Sequence, residues 1–196
     1  MVDWYRNTDW NVEIEAAFFD KLSRARSQRD QYIVLQALHL AFSHPEVCLK
    51  LVDLYFSTRT DNFHDDRARR AASSAHFALG GYAAALDNYL RILQGQNAER
   101  DIYVGSPLVF AFLAARYRST DHYAAALEEI HKMPLPGPNS LDEQFRYHAA
   151  KALLLSETGI DPVGSVQEAR LALDTPEEVK SAYSDVVWRL RGITRN

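Results

Sequence analysis

Asp61, His64, Asp65 and Asp66 fall within six positions of one another. Carboxylates and imidazole are the ligand types of a divalent-metal site. The same aspartates sit at a helix start, where the helix dipole favours anions without any metal. Glu128, Glu129 and His131 share a short helix. Residues 128 and 131 lie three apart on one face, close enough for an acid–base pair, although a solvated face carries such pairs routinely. His76 and His148 fall among apolar neighbours and read as core or groove histidines. Cys48, the single cysteine, lies in an apolar helix and reads as a small buried hydrophobe. The chain has no Gly-x-Ser-x-Gly, no phosphate-binding glycine loop with Lys-Ser/Thr and no His-Glu-x-x-His. The expectation is a protein that is not an enzyme, with no catalytic residue, no metal and no cofactor.

Basic residues are the next candidates. Arg24, Arg26 and Arg29, with Arg67, Arg69 and Arg70, could form a nucleic-acid patch in which Tyr32 or Phe63 stacks on bases. Residues 1–60 carry seven basic and eight acidic side chains, and the chain as a whole carries 22 and 26, for a net charge of −4. No strong positive field builds up, which argues against a nucleic-acid partner. Hydrophobic residues make up 47% and charged residues 24% of the 196 positions, too apolar for a disordered chain. One cysteine allows no intramolecular disulfide, so stability must come from packing, and a reducing cytoplasm is expected. Positions 1–6 hold no apolar run behind a basic start, so no signal peptide is expected. The longest uncharged stretches, 31–45, 71–86 and 102–115, fall short of the roughly 18–20 apolar residues that span a bilayer. No membrane partner is expected.

The elements that position these residues are helices. Strand alternation and hairpin turns are almost absent, and apolar residues recur at helical spacing throughout. Helices are predicted at about 13–24, 29–43, from Pro45 past Tyr55, 65–79, 83–94, 107–117, from Asp121 or His122 to before Pro134, 141–157, 162–173 and 176–191. Pro45 and Pro107 fit first turns, Gly80-Gly81 is a stop, and Thr175-Pro176-Glu177-Glu178 a start. Pro134, Pro136, Gly137 and Pro138 form the one rigid break. The N-terminal Trp4, Tyr5 and Trp10 either cap the first helical pair or form a partner-binding hot spot.

The strongest pattern is an internal repeat. Tyr82-Ala83-Ala84-Ala85-Leu86 recurs as Tyr123-Ala124-Ala125-Ala126-Leu127, 41 positions on. Ala85 and Ala126 would let two helices approach closely, and each tyrosine could fold back over the first helix of its own pair. With Gly80 and Tyr89 in one copy and Leu113-Ala114 and Tyr117 in the other, the chain resembles the tetratricopeptide repeat, a helix–turn–helix unit of about 34 residues. The Trp4-Tyr5-Arg6-Asn7-Thr8-Asp9-Trp10 opening also resembles that of uncharacterised bacterial proteins built from such repeats. The resemblance implies an all-α, right-handed superhelix of about ten helices, one domain over 1–196. Its clearest pairs lie at about 66–97 and 107–133, with an extended loop at 95–105. It further implies a concave groove lined by the first helices. By register, that groove carries Arg67, Arg70, Ser74 and Phe77 from one pair and Leu108, Ala111, Ala115 and Arg118 from the next. Such a lining would suit a protein or peptide segment with acidic groups and apolar anchors.

The expected function is therefore a protein–protein interaction module, a bacterial toxin-neutralising immunity protein being one concrete form. Two alternatives stand beside it. One is an all-helical metal-dependent hydrolase using Asp61, His64 and Asp65, because His64-Asp65 resembles the paired His-Asp of metal-dependent phosphohydrolases. The other is a nucleic-acid-binding helical repeat.

Overall fold

A computed structural model describes residues 3–95 and 106–195. Among them are eleven α-helices, two single 3-10 turns and no strand. The chain clusters into two compact units, Met1–Val104 and Gly105–Asn196, where the sequence reads as one continuous stack. The loop expected at 95–105 lies outside the described residues from 96 onward.

The first unit holds α1 (Val12–Arg24), α2 (Arg29–Leu40), α3 (Pro45–Thr58), α4 (Asp65–Ala78) and α5 (Tyr82–Gly95). Asn11 caps α1 by accepting from the Ile14 N–H, and Pro45 opens α3 where its missing N–H leaves no bond unmade. α2 packs on α3 and α4, and α4 on α3 and α5. Alanines make the last contacts close: Ala68, Ala71, Ala72 and Ala75 of α4 and Ala85 of α5 are buried. Leu40, Leu51, Tyr55 and Phe18 fill the remaining core.

The N-terminal segment is strapped across this core. Buried Gln36 accepts from the Asn7 N–H at 3.1 Å and donates to the Asn7 carbonyl at 2.8 Å. Ser43 donates to the Thr8 carbonyl at 2.8 Å. These bonds set Trp4 against Phe18 and Tyr32, with ring centres 5.5 and 4.9 Å apart, and Tyr5 stacked on Tyr32 at 4.6 Å. Trp10 meets the Phe18 edge at 5.5 Å. The three aromatics thus cover the first helices.

The second unit holds α6 (Pro107–Arg116), α7 (Tyr123–His131), α8 (Leu141–Thr158), α9 (Pro162–Leu173), α10 (Glu177–Lys180) and α11 (Ser184–Ile193). α8 is its axis, packing on α6, α7, α9, α10 and α11. The final helix expected from the sequence is broken: Ser181–Tyr183 form a 3-10 turn between α10 and α11. The break lets the Tyr183 ring stack on Phe145 at 5.1 Å and its hydroxyl donate to Asp142 at 2.7 Å. A tertiary contact overrides a locally sound helical pattern.

The twin pentapeptides open α5 and α7, and both bury their last alanine and leucine, Ala85-Leu86 and Ala126-Leu127. The preceding helices end alike. The Gly81 N–H bonds the His76 carbonyl and the Ser119 N–H bonds the Ala114 carbonyl, around a left-handed residue, Gly80 (φ 74°) or Arg118 (φ 54°). Those two residues lie 38 positions apart, not 41. The three additional residues of the second connector are the 3-10 turn Thr120–His122. The tyrosines also part ways: Tyr82 meets Phe77 of its own pair at 5.9 Å, whereas buried Tyr123 donates to Glu157 of α8 at 2.6 Å.

Candidate functional site

Arg67, Arg70, Ser74 and Phe77 lie on one stripe of α4. Arg70 is exposed and the other three are half-buried, while the intervening Ala68, Ala71 and Ala75 face the core. The second set does not form a matching surface. Leu108, Ala111 and Ala115 are 3%, 0% and 0% exposed, so they are core residues of the second unit. α6 is apolar nearly all round and packs against α7 and α8, and such a helix has no wet face to offer. The longer connector adds to the mismatch, because a register set on the pentapeptides is three residues out at the helices before them. Arg118 alone of the second set is exposed.

Arg118 borders a hollow of about 410 Å³ between α8 and α11, shared with Arg189, Arg191, Arg195, Glu157 and Trp188. Arg189 is committed to the scaffold. Its Nη1 donates to the Ala115 and Arg116 carbonyls at 2.9 and 3.1 Å, closing the C-terminus of α6, and its Nη2 pairs with Glu157. Glu157 is equally occupied, by Arg189, by the Tyr123 hydroxyl and by Arg118 at 3.8 Å. Burial, and then the bond to Glu157, pushes the Tyr123 hydroxyl above its ordinary pKa and keeps it a donor. Arg191 and Arg195 make no ion pair among the described residues. Arg191 follows Trp188 by three positions on the outer side of α11, Arg195 lies in the turn just beyond that helix, and Trp188 is 74% exposed.

A second hollow of about 480 Å³ adjoins the first and shares Ser156 and Ile193 with it. Pro162, Val163 and Val166 of α9 make it apolar, and Arg170 borders it. Arginine forks bind carboxylates bidentately, and an exposed tryptophan is a surface that gains by being covered. Together the two hollows offer paired cationic and apolar contacts on one side of the unit.

The other candidates have local roles. The Asp61 carboxylate accepts from the Phe63 N–H at 2.8 Å, and the His64 ring meets Phe63 edge-on. Asp65 takes the Tyr55 hydroxyl at 2.8 Å and Arg59 at 3.2 Å. Burial, and then the Arg67 charge, lowers the His64 pKa. Among the described residues no three His, Cys, Asp or Glu side chains gather as a metal site would require. Glu128 and Glu129 both pair with Lys132. His148, read from sequence as a core or groove residue, is bonded to a charge: its Nδ1 lies 2.6 Å from Glu168, whose other oxygen is 2.5 Å from Lys151 Nζ. This network joins α8 to α9. Cys48 is fully buried, and burial pushes its thiol up to about 12. No helix among the described residues is long and apolar enough to cross a membrane.

Trp188, Arg191, Arg195 and the valines of α9 escaped the sequence reading because they lie outside the repeat that organised it. The trace was present: α11 buries Val186, Val187 and Leu190, so a tryptophan at 188 falls on its polar side. No family model, curated protein or solved structure matches the chain.

Proposed function

We propose that this chain is a non-enzymatic interaction module that binds a protein or peptide segment carrying acidic and apolar groups. The observation that supports the reading is the hollow of the second unit, where Arg191 and Arg195 stand unpaired among the described residues beside an exposed Trp188. A soluble monomer ordinarily pairs or disperses such groups, and contiguous ones mark interaction sites. The proposal includes a tetratricopeptide-like stacking of the helical pairs and a cytoplasmic setting, the latter in keeping with one sealed thiol and no disulfide. The α4 stripe of Arg67, Arg70, Ser74 and Phe77 is a second surface for the same kind of ligand. Neutralisation of a bacterial toxin, by covering its surface, is one form this activity takes.

Panning a random peptide library against the full chain tests the proposal. Enrichment of segments that combine Asp or Glu with Leu, Phe or Trp, followed by calorimetric binding of a synthetic copy, is the expected result. A library that returns no segment above the heat-unfolded control would refute it.

A further inference from the structure

We propose that the joined hollows between α8, α9 and α11 are the peptide site, and that they take an extended acidic segment with an apolar residue at its centre. This rests on the reading of the chain as a peptide-binding module. Charge decides the polar half. Four arginines border the first hollow against one carboxylate, and Glu157 already receives Tyr123, Arg118 and Arg189. Among the described residues Arg191 and Arg195 have no carboxylate partner and are left to meet anions from outside, in a chain whose overall charge is −4.

Continuity decides the apolar half. Ser156 and Ile193 line both hollows, so a chain seated on the arginines runs directly on to Val163 and Val166, with Arg170 also present there. Trp188 supplies a rigid face for the central side chain at small entropic cost. Each hollow, at about 410 and 480 Å³, falls within the ~300–1,000 Å³ range of ligand sites. A single-stranded nucleic acid fits less well. It requires a basic track along its whole length, and here the track ends in valines and proline with Glu157 alongside.

The test is fluorescence anisotropy on the full chain with labelled Glu-Glu-Leu-Glu-Glu. Binding is expected to weaken about tenfold in the double variant Arg191→Glu, Arg195→Glu. It is expected to weaken several-fold when serine replaces the central leucine, and not to change in Lys50→Glu, an exposed charge of α3 outside both surfaces. Because both arginines are solvent-facing, circular dichroism of the double variant should match the parent; Arg191→Gln with Arg195→Gln serves if it does not. No binding of the acidic peptide at about 1 mM, or equal binding by the double variant, overturns the inference. So does displacement of the peptide by a ten-nucleotide oligouridine at lower concentration. Loss of binding only in Arg70→Glu moves the site to α4: the inference fails and the interaction-module reading survives. An empty library panning fails both.

Discussion

Arg118 occupies a left-handed backbone position that its counterpart fills with Gly80. A side chain there costs about 1–2 kcal/mol, because Cβ crowds the following carbonyl. Among the described residues its one ion pair returns little of that energy: the contact with Glu157 is 3.8 Å long and the Arg118 side chain is 63% exposed. Strain kept in place at the edge of a hollow points to use of the side chain itself. Arg118→Gly is therefore expected to stabilise the chain by about 0.5–1 kcal/mol, read as a higher urea midpoint. The same change is expected to weaken acidic-peptide binding several-fold. A lower urea midpoint would show that the guanidinium is holding Glu157 in place after all.

Between elements, the contact between α8 and α9 includes a charged network. Burial raises the Glu168 pKa, but the bonds from His148 and Lys151 outweigh it and hold the carboxyl below its ordinary 4.5. Burial likewise works against the Lys151 charge, and its bond to Glu168 outweighs that and holds the amine above 10.5. A depressed carboxyl contributes stability above its unfolded pKa, and that contribution is lost as pH falls through the folded value. A raised amine contributes below 10.5 and loses its contribution as pH rises beyond it. The network therefore acts across the neutral range and fails on the acid side first. Glu168→Gln leaves two half-buried donors short of a charge and is expected to cost about 1–3 kcal/mol near neutrality. Parent and variant should converge as pH falls below 4.5 and the carboxyl takes up its proton, as chemical denaturation across pH will show. A pH-independent difference would assign the loss to packing.

The helices themselves were legible because their ends are written locally. Pro45, Pro107 and Pro162 stand in first turns, and Gly80 and Gly159 are left-handed at the stops. What was illegible depended on distant partners. Tyr183 breaks a good helical pattern to reach Phe145, and α6 loses its expected groove face because neighbouring helices cover it. Of the candidate site, Arg118 was visible through the repeat. Trp188, Arg191 and Arg195 were not, since no copy of α11 exists to compare them with.

For the whole chain, acid exceeds base by four charges, yet one hollow gathers four arginines around one carboxylate. Segregation of this kind steers anionic segments more than it stabilises the fold, and its effect fades as salt screens it. No intramolecular disulfide adds to this cohesion, and the only thiol is sealed against the Ala71 carbonyl. Ellman's reagent at about pH 8 is expected to leave the native chain unlabelled and to find one equivalent in guanidinium, since burial keeps the thiol protonated. Rapid labelling of the native chain would mean that α3 and α4 separate readily. The sealed sulfur has a practical corollary. A cysteine substituted at exposed Ser156, on the ridge between the two hollows, would be the sole handle open to a maleimide dye, with no native residue to delete beforehand.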